Sequence, residues 1–268
     1  MFTRRLVGAL LSLASATAAL VAVGPAAPAQ AAAASYVALG DSYSSGVGTR
    51  SYINDGTSCQ RSDYAFPKLL ANQRGYALNF KACSGATIPA VTSSQLSALT
   101  STTRFVTISV GGNDAGFAEV LTECATPFWA GDCNSAINGA QAYITNTLPG
   151  KLSTLYSSMR SKAPTAKVVV VGYPRVFMGE DCNAATWFSP EEEARLNATA
   201  DLLNSKLSAA AAARGFTFAN PTSRFVGHAV CDNPEWLNGL SDPVSDSYHP
   251  NKLGHSSGYL PLISPLLV

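Results

Sequence analysis

Short runs of apolar, mostly β-branched residues recur along the chain, and each is stopped by glycine or proline. The clear runs are Tyr36–Leu39, Arg104–Val110 and Lys167–Val171, and weaker ones lie at Ala77–Ala82 and Phe216–Ala219. Continuous apolar runs of this length are typical of strands buried on both faces of a parallel sheet. The pattern therefore predicts three strands and two further candidates.

In the segments between these runs, apolar residues recur at the spacing of a helix. The clearest helix begins at Ser189, which can cap the first turn, and Glu192 completes a capping box. Leucines then recur on one face until Gly215 ends the segment. Two more helices are predicted, over about Ile137–Met159 and Lys252–Ile263. Strands that alternate with helices predict a doubly wound α/β domain, whose ligands bind where the strands end.

The N-terminal segment has the three parts of a secretory signal peptide. Arg4 and Arg5 precede an apolar run that ends at Val23, and a Pro/Ala-rich stretch follows. The run nears the roughly 18 residues of a membrane anchor, but its Ala, Ser and Thr content favours cleavage. We expect residues 1–34 to be removed. Residues 35–268 would then be a single exported domain without a membrane-spanning segment.

Composition excludes two classes of protein. Hydrophobic residues make up 47% of the 268 positions and charged residues only 13%, which argues against a disordered chain. The 18 Lys+Arg against 17 Asp+Glu leave no basic excess to neutralise phosphates, so no nucleic-acid partner is expected.

The six cysteines fit an exported protein. None forms a Cys-x-x-Cys pair or zinc-finger spacing with histidine, so we predict no metal site. An oxidising compartment favours three disulfides. The sequence does not choose among the 15 possible pairings, although sequential pairing closes the shortest loops. The cysteines are Cys59, Cys83, Cys124, Cys133, Cys182 and Cys231.

A serine directly after the first strand is the first candidate for chemistry. Ser42 lies in a Gly-Asp-Ser turn that lacks both the dinucleotide fingerprint and the lysine of a phosphate loop, so no nucleotide cofactor is expected. Taken alone, Ser42 is more typical of a helix N-cap. A serine nucleophile needs a base, and His249 follows Asp246 by three residues in a late loop. His228 and His255 have no such local partner and are expected to be structural.

One further segment matches a known catalytic motif by accident. The segment 254–258 reads Gly-His-Ser-Ser-Gly and fits the nucleophile elbow of α/β-hydrolases. That elbow follows a strand and is itself followed by the acid and the histidine of its triad. Neither Asp nor His occurs after position 257, so we do not assign the elbow here.

Four blocks are spaced along the chain: Gly40-Asp41-Ser42, Ser84–Thr87, Gly111–Asp114 and Asp246–Pro250. In this order they resemble the SGNH (GDSL) hydrolases, and most closely the secreted actinobacterial GDSL lipases and esterases. Tyr43 stands where the family name expects leucine. The resemblance extends to the leader, the size and a three-disulfide layout. It implies a three-layer α/β/α, flavodoxin-like parallel sheet.

The resemblance also implies roles for residues at the site. Ser42 would be the nucleophile and His249 the general base and acid. Asp246 occupies the usual position of the acid that orients the histidine. Some family members use a main-chain carbonyl instead, so the carbonyls of Asp246 and Ser247 remain alternatives.

An oxyanion hole would form from the backbone N–H groups of Ser42 and Gly85 and the side-chain amide of Asn113. Gly85 permits a close backbone approach, and the Asn113 amide is an uncharged donor that suits a developing oxyanion. Asparagine after Gly-Gly is also a common turn residue. With the other blocks present, we favour the catalytic role.

The function implied is a secreted, monomeric serine ester hydrolase, a lipase or carboxylesterase of broad acyl specificity that also acts on phospholipids. Two alternatives remain: a carbohydrate acetylesterase of the same fold, and a secreted binding protein on an inactive scaffold. Aromatic residues in loops are predicted to border an acyl groove, unless they pack into the core. They are Phe117, Phe128, Trp129, Phe177, Trp187, Phe188 and Trp236.

Overall fold

The computed structural model describes residues 1–2, 32–179 and 182–268. The predicted signal peptide therefore lies almost wholly outside the described residues. Residues 33–268 pack as one compact unit. Within the described ranges, every helix is too short or too polar to span a bilayer.

All five apolar runs are strands of one parallel sheet, which confirms the predicted fold class. The strand order is β2-β1-β3-β4-β5, the flavodoxin-like order of a doubly wound fold. The strands are β1 Ser35–Gly40, β2 Ala77–Phe80, β3 Phe105–Ser109, β4 Lys167–Val171 and β5 Thr217–Ala219.

Position in the sheet explains why two runs are weaker. The central strands β1, β3 and β4 are buried along nearly their whole length, which requires a continuous apolar sequence. Strands β2 and β5 form the edges and are only partly buried. An edge strand tolerates polar residues, so Asn79 and Thr217 occur there.

Helices cover both faces of the sheet, and one prediction needs correction. The predicted helix Ile137–Met159 is two helices that meet at Thr147. Pro149 explains the break, because proline has no N–H to donate and fits only the first turn of the second helix. The α-helices are α1 Ser42–Ser45, α2 Phe66–Arg74, α3 Ile88–Ala90, α4 Phe117–Cys124, α5 Cys133–Asn146, α6 Leu148–Lys162, α7 Pro190–Ala212 and α8 Leu260–Ile263.

The other two helix predictions are borne out with different detail. The capping box of Ser189 and Glu192 is present at the start of α7, and Gly215 follows its end with φ +65°. The predicted helix Lys252–Ile263 is helical throughout but changes type along its length. Short irregular helices are π-helical at Val91–Gln95 and Gly254–Tyr259, and 3₁₀ at Leu96–Ala98, Val244–Asp246 and Ser264–Leu266.

Three disulfides connect the cysteines in sequential pairs, Cys59–Cys83, Cys124–Cys133 and Cys182–Cys231. The first ties a long loop to the segment just before Ser84. The second joins the end of α4 to the start of α5. All three therefore brace loops that lie outside the central strands.

Candidate active site

The first block turns sharply at the carboxyl end of β1. Gly40 has φ +123°, and a Cβ there would lie 2.3 Å from the carbonyl oxygen of Ser109, so only glycine fits. The side chain of Asp41 caps α1 by accepting from the N–H of Tyr43. Ser42 is therefore not the cap but the first helical residue, and its hydroxyl lies at the sheet edge.

Asp41 is held in a buried network that supports this turn. Besides capping α1, its carboxylate accepts from the hydroxyls of Ser109, at 2.6 Å, and Tyr173. Burial raises the pKa of Asp41 to about 6, although these donors oppose the shift. Asp41 is therefore a structural support of the turn that carries Ser42.

The imidazole of His249 meets the hydroxyl of Ser42, although the two residues are 207 positions apart. His249 Nε2 lies 2.8 Å from Ser42 Oγ, and Nδ1 lies 2.9 Å from the carbonyl oxygen of Ser247. A carbonyl can only accept, so Nδ1 carries the proton of the neutral ring. Nε2 is then the acceptor for the serine proton.

The contact expected between Asp246 and His249 is replaced by this carbonyl, and the prediction is corrected. The carboxylate of Asp246 instead accepts a hydrogen bond from the hydroxyl of Tyr52. Asp246 still acts on the imidazole through its charge. Burial lowers the pKa of His249 to about 4, and the Ser247 carbonyl and the Asp246 charge oppose that shift. The ring is therefore neutral at pH 7, as a general base requires.

The second block contributes a backbone amide beside Ser42. Gly85 has φ +73°, and a Cβ there would meet no atom within 4 Å. Glycine is therefore required by the backbone conformation rather than by crowding within the protein. Among the described residues, the N–H of Gly85 donates to no protein acceptor. The amide remains available at the pocket that Gly85 and Ser42 both line.

Two side chains of the third block form hydrogen bonds to the backbone in and next to the second block. Asn113 Nδ2 donates to the carbonyl of Ala86 at 3.1 Å, and Asp114 accepts from the N–H of Ile88 at 2.9 Å. An amide NH₂ has two hydrogens, so one N–H of Asn113 remains for a ligand. Asn113 lines the same pocket as Ser42, Gly85 and His249.

The pocket above these groups has a volume of about 390 Å³ and is mainly apolar. Of the predicted groove aromatics, only Phe117 lines it. Phe177 and Phe188 pack in the core, and Trp236 stacks on His228. The other lining residues outside the four blocks are Tyr43, Ala118, Leu121, Thr122, Ala125, Tyr173, Ala200, Leu203, Leu240, Val244 and Ser245.

Tyr43, to which the sequence assigned no role, contacts the imidazole of His249. Its hydroxyl donates to the carbonyl of Tyr248 at 2.7 Å, and its ring centroid lies 5.2 Å from that of His249. Tyr248 itself has φ +58°, an uncommon conformation for a residue with a side chain. Tyr43, which follows Ser42, thus holds Tyr248, which precedes His249.

Asn238 and Gly48 were also missed. The side-chain amide of Asn238 donates to the carbonyls of Gly48, at 2.9 Å, and Asp246, at 3.1 Å. A Cβ at Gly48 would lie 2.8 Å from Cβ of His249, so a larger residue would displace the imidazole. No local signal points to this arrangement, because Gly48 meets Asn238 from 190 positions away and His249 from farther still.

The two remaining histidines are structural, as expected. His255 is fully buried, and its Nδ1 accepts from the N–H of Phe66 at 3.2 Å. Nδ1 of His228 lies 2.8 Å from the carbonyl of Pro234. Ser256 and Ser257 lie within the π-helix, so the accidental elbow motif is not a strand-to-helix turn.

Comparison with known proteins shows to which family this arrangement of blocks belongs. The model of the GDSL-like Lipase/Acylhydrolase family matches residues 38–256, which span all four blocks. The chain belongs to this family. The predicted membership in the SGNH (GDSL) ester hydrolases is therefore confirmed.

Individual members are similar over most of their length. Lipase 1 of Streptomyces coelicolor is 46% identical over 265 residues, which cover 97% of each chain. The crystal structure of an extracellular lipase from Streptomyces rimosus is 43% identical with a TM-score of 0.82, and the match covers 87% of this chain and all of that one. Phospholipase A1 from Streptomyces albidoflavus NA297 has the same identity and TM-score over 87% of this chain and 99% of its own.

Proposed function

We propose that this GDSL family member is a secreted lipase-type ester hydrolase that forms an acyl-enzyme on Ser42. The observation that carries the proposal is the 2.8 Å contact between Ser42 Oγ and His249 Nε2 at the floor of an apolar pocket. A neutral imidazole with Nδ1 fixed on a carbonyl is a competent base for a serine hydroxyl.

Acylation begins as His249 Nε2 takes the proton of Ser42 and Oγ attacks the ester carbonyl. The resulting oxyanion accepts hydrogen bonds from the N–H groups of Ser42 and Gly85 and from the amide of Asn113. Collapse of the tetrahedral intermediate breaks the bond to the alcohol, which leaves with the proton held by His249. Water then repeats the sequence on the acyl-enzyme and releases the acid.

The apolar pocket supports an acyl chain as the group that is bound. Its walls are formed by α4, through Phe117 and Leu121, and by Leu203 of α7. Burial of methylene groups stabilises a bound chain by about 0.8 kcal/mol each, so long chains should bind better than acetyl. The similarity to a lipase and to a phospholipase A1 supports broad acyl specificity that includes phospholipids.

Export is the remaining part of the proposal. Three disulfides favour an oxidising compartment, and one of the similar structures is an extracellular lipase. We propose that residues 1–34 are the signal peptide and that residues 35–268 act as a single, monomeric domain.

Hydrolysis of p-nitrophenyl esters from C2 to C16 tests the proposal, with the wild type and Ser42→Ala assayed together. We expect turnover that extends to the long chains and falls to background in Ser42→Ala. Turnover of acetyl esters alone would indicate a carbohydrate acetylesterase instead. The absence of any turnover in a folded wild type would indicate a binding protein.

A further inference from the structure

Three large aromatic side chains project from the surface beside the pocket. Phe128 is 88% exposed, Trp129 72% and Trp187 52%. The rings of Phe128 and Trp129 meet edge to face, with centroids 4.9 Å apart. Clustered exposed aromatics mark interaction sites more often than singly scattered ones do. We name these three residues the aromatic tip.

The tip is anchored next to the pocket wall. Phe128 and Trp129 lie in the loop between α4 and α5, whose ends are joined by the disulfide Cys124–Cys133. Ala125 of this loop lines the pocket, and its carbonyl accepts from the N–H of Trp187 at 3.2 Å. A short loop closed by a disulfide presents its aromatics with little conformational entropy left to lose on binding.

A second segment brings exposed apolar groups to the same pocket. Leu240 is 38% exposed and Val244 is 71% exposed, and both line the pocket. The acyl site therefore opens onto apolar surface from two separate parts of the chain. A water-soluble substrate gains nothing from such surroundings, whereas a lipid surface would cover them.

Charges near the tip indicate which kind of surface fits. Glu123 accepts from the N–H of Asp132, and Asp132 caps α5, so carboxylates flank the loop on both sides. Arg195, which contacts the first turns of α5, is engaged by Asn134 and Asn138. Carboxylates disfavour an anionic surface, while Trp and Phe suit the boundary between acyl chains and neutral headgroups.

We propose that the aromatic tip, with Leu240 and Val244, inserts into the surface of a neutral or zwitterionic lipid aggregate and places the pocket mouth against the ester bonds there. The inference rests on the proposed function, because it names the physical state of the substrate that the same site takes. The tip would adsorb the enzyme and leave the chemistry at Ser42 unchanged.

The test separates adsorption from turnover. Partition onto phosphatidylcholine vesicles is measured by sedimentation in a Ser42→Ala background, where no lipid is consumed. Phe128→Ala/Trp129→Ala should lower the partition coefficient about a hundredfold, since full burial of each aromatic side chain is worth about tenfold or more. Val226→Ala, at a 57% exposed valine outside the pocket lining, is the matched control and should leave partition unchanged.

Turnover is measured with Ser42 restored. Phe128→Ala/Trp129→Ala should keep kcat/KM for soluble p-nitrophenyl butyrate within about twofold and lose activity on vesicles in proportion to adsorption. Equal partition of this variant and the wild type would overturn the inference. So would a wild-type dimer that dissociates in the variant while neither binds vesicles, because a second copy would then cover the tip. Failure of the proposed function would appear separately, as absent turnover of every ester.

Discussion

The two halves of the candidate site are held in different ways. Ser42 and Asn113 follow the central strands β1 and β3, so the parallel sheet sets their positions. His249 lies in the loop 237–250, which contains only a single 3₁₀ turn and is closed by an antiparallel bridge from Leu237 to Pro250. The backbone of the sheet fixes the first half, whereas the second is held by hydrogen bonds from Asn238 within its own loop and from the distant Tyr43.

Because the two halves are held differently, substitutions affect them in different ways. The strand ends are backed by a buried sheet, so a side-chain change there removes a function and leaves the position intact. The histidine loop depends on Tyr43 and Asn238, whose hydrogen bonds hold the carbonyls of Tyr248 and Asp246. Substitutions of Tyr43 and Asn238 should therefore shift the position of the His249 imidazole although His249 itself is unchanged.

The largest expected effect is at the meeting point of the two halves. His249→Gln removes the base but keeps a polar side chain, and we expect kcat to fall roughly 10⁴–10⁶-fold on a short-chain ester. Circular dichroism should show an unchanged fold. His228→Gln is the matched control, because His228 stacks on Trp236 outside the pocket, and its kcat should stay within about twofold. Equal losses in both variants would contradict the assignment of the base.

A second substitution tests the half of the site that follows the strands. Asn113→Ala removes one donor of the proposed oxyanion hole, so kcat should fall about 10²–10³-fold with little change in KM. The melting temperature should change little, since the side chain is only partly buried and donates one hydrogen bond. Unchanged kcat in the folded variant would remove Asn113 from the site.

These two halves also differ in how far the sequence predicts them. Ser42, Gly85 and Asn113 are named by the blocks that resemble the SGNH family. Ser42 and Asn113 also lie just after predicted strands, whose carboxyl ends a parallel sheet brings to one edge. The apolar runs predict the three central strands, which must be continuously apolar, and mark the two edge strands as weaker candidates.

The histidine side was predicted less completely. His249 itself follows from its block, but its neighbour Asp246 does not orient it; the Ser247 carbonyl does. Tyr43 carries no local signal, because its role exists only once Tyr248, 205 positions away, is brought to it. Asn238 lies 8 positions before Asp246, but it also needs Gly48 from 190 positions away. Which main-chain carbonyl accepts from His249 depends on the conformation of the loop. The spacing of apolar residues in the sequence does not predict that conformation.

Tyr43→Phe tests whether the histidine loop is positioned from the strand side. The ring is kept and only the hydrogen bond to the Tyr248 carbonyl is lost, which is worth about 0.5–1.5 kcal/mol. We expect kcat to fall roughly 2–10-fold with KM unchanged, as His249 samples nonproductive positions.

A matched control distinguishes positioning from stability. Tyr76 also donates to a carbonyl, that of Leu267 at 2.6 Å, but lies outside the pocket. Tyr76→Phe should lower the free energy of unfolding by a similar amount and leave kcat unchanged. If Tyr43→Phe changes only stability, as Tyr76→Phe does, the positioning role is refuted.

The smallest effect is expected at Asp246. In the wild type, burial lowers the pKa of His249 to about 4, so the acid limb of kcat/KM should lie below the ordinary imidazole value of about 6.5. Asp246→Asn removes a charge that opposes this shift, and the acid limb should move to still lower pH. Because the Ser247 carbonyl keeps hold of Nδ1, kcat at pH 8 should fall only a few-fold. Were Asp246 the acid of a triad, the same change would lower kcat roughly 10⁴-fold, as in serine proteases. A pH–rate profile of both proteins therefore tests the role of the Ser247 carbonyl as the group that orients the base.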